Sequence, residues 1–354
     1  MGKFFTQLGA VLYKSFLLKK KTPITTLIEL FLPLVILVCF VLLAKQNESQ
    51  LEMFQGIYDT LLFLLLSFNL SRLIGLLVME RENRVREMMK ILSLSDLCFY
   101  FSWYLFYAIL MLVVCITICP TAVFGGLLPD SSSFTLFVFY FSFCLSSISF
   151  SMLVSAPFNS ARVSQSVGFL IYYCIGQIQW AIDDSWPSSV ISLVCFLFPQ
   201  IGFGLGLRSF PSSGLTWQTW STTTSSTSGT SVSIETQTIY FLISSVMYFI
   251  LFAYIDQIIP HTVGVKKHFL FPIGKCVGAS SRSTNLLGSA CTVSTHELSK
   301  QYGSKTVLTN VSLEMQIGEM SILLGENGAG KTTLINILTG MTEKSSGSIS
   351  VFGI

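Results

Sequence analysis

Six stretches of this chain are each long and apolar enough to demand a membrane. A helix needs about 20 apolar residues to cross a bilayer, because backbone groups cannot be left unpaired in hydrocarbon. The runs are Ile24–Ala44, Ile57–Met79, Leu97–Ile118, Phe134–Val154, Val163–Ile182 and Ile239–Ile259. Composition argues against a purely soluble protein: only 11% of residues are charged, and mean hydropathy is +0.67. The nine cysteines are scattered, mostly inside apolar runs, with no C-x-x-C pair. They read as small buried apolar residues, not as a metal site or disulfide framework. The basic amino end leads into a run of spanning length without a small-residue cleavage site, so it reads as a retained first helix.

Charge orients the helices. Lys3, Lys14, Lys19, Lys20 and Lys21 precede the first run; Arg81, Arg84, Arg86 and Lys90 follow the second. Arg162 follows the fourth, and Lys266, Lys267, Lys275 and Arg282 follow the last. The loops Cys119–Ser133 and Asp183–Ser189 hold no Lys or Arg. The positive-inside rule then predicts both termini in the cytosol. A seventh run, Val190–Leu207, is interrupted by Pro199-Gln200 and by Gly202, Gly204 and Gly206. If it crossed, the carboxyl end would lie outside, so it is expected to be a re-entrant pair of short helices, tolerated at membrane depth under a cover of protein. The expected organisation is a cytosolic amphipathic segment over 1–23, a transmembrane domain over 24–273, a Ser/Gly-rich linker over 274–292 and a partial α/β domain over 293–354. Ser221–Ser233 reads as a flexible outer loop, and Asn47-Glu48-Ser49 is a glycosylation triplet set close to the membrane.

The α/β segment carries the chemistry. Val307–Met315, Met320–Leu324 and Ser348–Phe352 read as strands, and a helix is expected from Lys331 to Met341. Gly325-Glu326-Asn327-Gly328-Ala329-Gly330-Lys331-Thr332 fits G-x-x-x-x-G-K-[ST] between strand and helix. The glycines let the backbone curl so that successive N–H groups, with the positive helix end, cradle phosphate oxygens. Lys331 would reach the β- and γ-phosphates, and Thr332, followed by Thr333, would offer its hydroxyl to Mg²⁺. Tyr302 lies 29 positions before Lys331; its ring could stack on adenine, although a strand tyrosine is ordinarily just packed. Two ionisable residues lie inside the apolar runs. Glu29 is five residues and Arg72 seven residues from the basic ends of their helices, depths that differ by about 3 Å at 1.5 Å per residue. Charges at that depth need partners or a cavity, so a Glu29–Arg72 pair is expected, against the alternative of Arg72 snorkelling to headgroups.

These residues resemble a known family. Leu298–Gly340, LSKQYGSKTVLTNVSLEMQIGEMSILLGENGAGKTTLINILTG, looks like the opening of an ABC nucleotide-binding domain. That resemblance implies ATP and Mg²⁺ as cofactors, adenine stacking by Tyr302, and phosphate contacts from Gly325 through Thr333. The order, membrane part before ATP part, excludes the reversed G-type half-transporters. LYKSFLLKKKTPITTLIELFLP (Leu12–Pro33), MERENRVREMMKILSLSD (Met79–Asp96), FCLSSISFSMLVSAPFNSAR (Phe143–Arg162) and AYIDQIIPHTVGVKKHFLFP (Ala253–Pro272) resemble stretches of the A subfamily, eukaryotic lipid transporters. The implied fold is an all-α polytopic membrane domain, type II ABC exporter-like, with six transmembrane helices and the re-entrant pair, before a partial α/β P-loop domain. The implied activity is ATP-driven transport of lipid, with phospholipid exporters the nearest likeness, a second transporter half or second nucleotide-binding domain as partner, and no nucleic acid. The implied membrane is the plasma or an endolysosomal one.

Glu80, Glu82, Glu87, Met89 and Lys90 match the family's E-K-E-x-x-x-x-E-x-M-K stretch, which the resemblance assigns to coupling between ATP and membrane domains. The family's large outer domain between the first two helices is reduced here to Lys45–Gly56. The Gln loop, signature, catalytic carboxylate and switch histidine would lie past Ile354, so no catalytic residue is assigned and the chain alone is expected not to hydrolyse ATP. A non-catalytic chain regulating a full-length relative, a gene-model fragment and an exporter of a non-lipid solute remain open alternatives.

Overall fold

The computed structural model describes residues 2–46, 51–91, 94–126, 131–182, 186–213, 233–259, 291–316, 321–326 and 328–351. The glycosylation triplet, most of the Ser/Thr loop, Asn327 and the linker up to residue 290 lie outside them. The chain divides into two compact units, residues 1–85 with 93–256 and residues 86–92 with 257–354.

The first unit is a helix bundle. It comprises α1 (Gly2–Lys21), α2 (Pro23–Gln46), α3 (Leu51–Glu82), α5 (Asp96–Phe124), α6 (Ser133–Ser155), α7 (Ala161–Gln177), α8 (Ser188–Leu197), α9 (Pro199–Ser213) and α10 (Ile234–Ile258). The short α4 (Val85–Ile91) follows α3. Among the described residues, α2, α3, α5, α6 and α10 are long and apolar enough to cross a bilayer singly. On α2 the exposed Ile24, Leu27, Phe31, Val35, Val38 and Leu42 follow helical spacing. Apolar residues on the outside are what acyl chains require, so packing has to be directed by shape and polar contacts, not by hydrophobicity.

Shape explains how α7 sits on α3. Ser164, Gly168, Tyr172 and Gly176 repeat every four residues and are buried. A Cβ on Gly168 would come within 2.6 Å of Ile74 Cδ1, and one on Gly176 within 2.8 Å of Phe63. Small residues let the two backbones approach. Α-helical geometry ends at Gln177 and a 3₁₀ turn, Ile178–Ala181, completes the stretch expected as the fifth span. The seventh run is two helices, bent by 119° at the break around Phe198, with Pro199 opening α9. Proline suits a first helical position, whose N–H has no intrahelical partner. Phe203 of α9 is fully buried and stacks on Phe143, ring centroids 3.9 Å apart.

The second unit contains a three-stranded antiparallel sheet in the order β2-β1-β3, formed by β1 (Cys291–Tyr302), β2 (Lys305–Gln316) and β3 (Ser346–Val351). Strand β1 therefore begins within the last residues assigned to the linker. The helix α11 (Lys331–Leu338) lays Leu334 and Ile337 against Leu298 and Leu308, a small core. It ends three residues sooner than expected, because Gly340 takes φ +73° and Met341 N–H turns back to Asn336 O at 2.7 Å. The strand expected over Met320–Leu324 is corrected: Ser321–Leu324 forms no ladder among the described residues, and Ile322 and Leu324 are 71% and 84% exposed. A strand exists through its neighbours, and β1 already has both edges filled by β2 and β3.

Candidate functional site

The phosphate loop is built from backbone conformation. Gly328 and Gly330 take φ of +91° and +84°, left-handed values that L side chains rarely adopt. Ala329 N–H donates to Glu326 O at 3.2 Å, closing the turn. Gly330 immediately precedes α11, and a Cβ there would meet Leu308 Cδ2 at 2.7 Å and Val307 O at 2.9 Å. The loop is thereby pressed onto β2. Lys331 folds back over it, its Nζ donating to Gly325 O at 2.5 Å and Glu326 O at 2.7 Å. An ammonium held by carbonyls that a phosphate could replace, beside a helix N-terminus and the exposed Thr332, fits a nucleoside triphosphate. Thr333 is half-buried one residue on. Tyr302 ends β1, 48% exposed, with Lys300 Nζ 4.9 Å from its ring centroid; one aromatic face is thus already used by a cation.

In the bundle, the last turn of α3 grips five neighbours. Glu80 is buried, pairs with Lys14 of α1 and accepts from Trp103 Nε1 of α5 at 3.2 Å. Arg81 donates through Nη1 to Ser155 O at 3.0 Å and Ala156 O at 3.3 Å, where α6 ends. Its Nη2 lies 3.1 Å from Asp256 Oδ1 of α10. Tyr100 OH of α5 donates to the other carboxylate oxygen at 2.5 Å. Glu82 accepts from Ala161 N–H at 2.9 Å, capping α7, whose own Ser160 makes no side-chain cap. The chain passes between units after Val85 and after Asp256, so this cluster sits beside two of the crossing points. Glu87, Met89 and Lys90 lie on α4, in the second unit; Glu87 and Lys90 are 4.0 Å apart, a partly exposed pair of small energetic weight.

Arg72 Nε lies 3.1 Å from Glu29 Oε1. Lys19 of α1 joins them, bonded to the other carboxylate oxygen. Burial pulls the Lys19 ammonium below its ordinary range, and the Glu29 carboxylate opposes that shift. Pro33 has no N–H to offer the carbonyl four residues earlier, and that carbonyl, Glu29 O, instead accepts from Asn69 Nδ2 at 3.1 Å. Both the side chain and the backbone of Glu29 are therefore held by α3.

Residues 43–254 match the family model described as ABC-2 family transporter protein, which covers more than half of the chain. The chain belongs to the ABC-2 transporter family. Residues 308–354 match the ABC transporter family, whose domain binds ATP. The ABC-2 chain is similar to the cholesterol transporter ABCA5 of Mus musculus, 26% identical over 78% of this chain and 18% of the relative. It is also similar to the human glucosylceramide transporter ABCA12, 25% identical over 78% of this chain and 12% of the relative. ATP-binding cassette sub-family A member 7 of Mus musculus is 26% identical over 82% of this chain and 15% of the relative. The chain thus spans less than a fifth of the length of these A-subfamily relatives.

Sequence reasoning about this ABC-2 chain singled out Glu80 and Glu82 but missed the partners of Glu80 and the Arg81–Asp256–Tyr100 contacts beside it. Nothing local in the sequence marks Lys14, Tyr100, Trp103 and Asp256 for these contacts. The available signal was that Asp256 lies at the edge of an apolar run, where a buried acid requires a counter-charge.

Proposed function

We propose that this chain supplies membrane helices and the phosphate-binding start of an ATP-driven lipid transporter. The observation that carries the reading is the phosphate loop, with Gly328 and Gly330 left-handed and Lys331 folded over the turn, in one chain with an ABC-2 bundle. ATP would sit with its β- and γ-phosphates on Lys331 and the loop amides, Gly325 to Thr333, and with adenine on the open face of Tyr302. Mg²⁺ bound with the nucleotide would be held by the Thr332 hydroxyl and would neutralise phosphate charge. Closure of two such ATP domains would push on α4, and the Glu80–Arg81–Glu82 cluster would pass that displacement to α1, α5, α6, α7 and α10. A cluster of hydrogen-bonded helix ends suits this role, because packed interfaces shift between discrete arrangements instead of deforming continuously. A lipid substrate is favoured by the similarity to a cholesterol transporter and a glucosylceramide transporter. The opposing ATP domain would come from a second transporter half. Lysine-rich α1 and Lys331 would share the cytosolic side of a plasma or endolysosomal membrane, with six crossings and α8–α9 as the re-entrant pair.

Lys331→Ala is expected to weaken ATP binding about tenfold to a hundredfold, the equivalent of about 1.5–3 kcal/mol for a charge-assisted hydrogen bond. Binding of a fluorescent ATP analogue to the purified chain measures it, with Lys344→Ala, an exposed lysine, as control. Equal affinities in the two variants would remove the nucleotide site. Protease accessibility in sealed vesicles tests the orientation: cleavage near the amino end and near Lys331 from opposite faces would overturn it. In a chain completed with the rest of its ATP domain, Glu87→Ala with Lys90→Ala is expected to leave ATP turnover and abolish lipid export. Unchanged export would end the coupling role of α4.

A further inference from the structure

A cavity of about 330 Å³ opens between α1, α3 and α7 at the basic end of the bundle. Its ionisable lining residues are all cations: Lys19, Arg72 and Arg162. Behind the wall, Glu29 pairs with Lys19 and Arg72. Three positive charges in the lining therefore meet Glu29 behind the wall and Glu82 at the rim, where its carboxylate accepts from the lining Ala161 N–H; that leaves a surplus of one positive charge on a cavity with no acid in its lining. Arg72 commits Nε to Glu29, so its terminal guanidinium fork remains uncommitted among the described residues. The Ser15 hydroxyl also borders the cavity; it is 1% exposed and has no hydrogen-bond partner among the described residues. Leu18, Leu76 and Met79 supply an apolar part of the wall, beside the polar Thr22 and Gln165. Arg162 stands exposed at the rim, one residue into α7.

We propose that this cavity is a headgroup site for a lipid carrying an anionic phosphate, a deepening that rests on the lipid-transport reading above. Guanidinium forks and an ammonium match phosphate oxygens in geometry and charge. The Ser15 hydroxyl supplies a donor that is otherwise unused. The apolar part of the wall distinguishes a lipid from free phosphate, because the glycerol and first acyl carbons need a dry surface beside the charged one. The site lies where the basic helix α1 meets the ends of α3 and α7, which is headgroup depth in a bilayer.

The test uses the purified 354-residue chain in detergent micelles, without nucleotide. Retention of dioleoyl phosphatidic acid and dioleoyl phosphatidylcholine is compared by native mass spectrometry, and millimolar inorganic phosphate is added as competitor. Phosphatidic acid is expected to be retained about fivefold over phosphatidylcholine, as follows from about 1 kcal/mol for one surplus cation near the surface. Arg162→Gln, at the exposed rim, is expected to reduce the retention about fivefold. Met79→Trp, which fills the cavity, is expected to abolish the preference. Both variants should keep the thermal unfolding temperature of the parent. Equal retention of the two lipids, or a preference that survives both variants, would overturn the proposal. Displacement by inorganic phosphate as effective as by lipid would assign the cations to a soluble anion and likewise overturn it. Because nucleotide is absent, failure here leaves ATP-driven transport standing; that reading fails separately in the Lys331→Ala measurement.

Discussion

Asp256→Leu is expected to destabilise the helix bundle by about 3–5 kcal/mol, the cost of leaving a buried charge without its partner. Arg81 is 8% exposed in its side chain and Asp256 is 0% exposed. Two carbonyls, Ser155 O and Ala156 O, would still accept from Arg81, but neither cancels its charge. Tyr100 OH, which now donates to Asp256 at 2.5 Å, would also lose that acceptor. Asp256→Asn keeps an oxygen for Tyr100 and should cost less, about 1–2 kcal/mol. Arg81→Leu combined with Asp256→Leu should recover part of the loss, because a buried ion pair replaced by apolar groups is often nearly neutral. Thermal unfolding in detergent, carried as a double-mutant cycle, measures the coupling. Ile250→Leu, on a lipid-facing position that is 63% exposed, is the control. A coupling indistinguishable from zero would show that Arg81 is held by groups other than Asp256, the end of α6 among them.

Gly330→Val should abolish nucleotide binding while the bundle keeps its stability. The backbone there has φ +84°, which costs an ordinary L residue about 1–2 kcal/mol and a β-branched one more. The added Cβ would also press on Leu308 Cδ2 at 2.7 Å and on Val307 O at 2.9 Å, and a strand carbonyl cannot swing aside as a long side chain can. The relief available is for the loop to lift from β2, which carries Lys331 away from the turn. A loss of about a hundredfold or more in affinity for the ATP analogue is expected, since strain and misplacement together exceed about 2.7 kcal/mol. Gly325→Ala provides the contrast. Its nearest contact would be Ala329 Cβ at 3.3 Å, and its effect should be several-fold smaller. Similar losses in both variants would mean that the loop tolerates no side chain anywhere, and the specific seat on β2 would lose its support.

Glu29 and Arg72 show how far a linear reading reaches in this protein. Their depths along two helices were available from residue counting, and the structure places the side chains together. Lys19 as third member was not legible, since α1 carries a run of basic residues and nothing local marks one of them as buried. Asn69 could be sought only after noticing that Pro33 strips the hydrogen bond from Glu29 O. The strand over Met320–Leu324 was misread for the opposite reason: Ser321–Leu324 is locally ideal for a strand, but a ladder is a property of pairs.

What the amino-acid order alone determined is whatever depends on neighbours a few residues apart. Apolar length sets which helices can cross hydrocarbon, because backbone hydrogen bonds must close within each segment. Glycine and lysine spacing sets the phosphate loop, because left-handed turns and the reach of one side chain are local. Tertiary structure alone decided the clamp at the end of α3, where Arg81 meets Asp256 across 175 positions of chain. It also decided the cavity that gathers Lys19, Arg72 and Arg162. Charge pairing in a bundle is settled by which helix faces come within a few ångströms of each other. In lipid that choice falls to shape and polar contacts, which many arrangements of the same apolar helices could satisfy until all are packed at once.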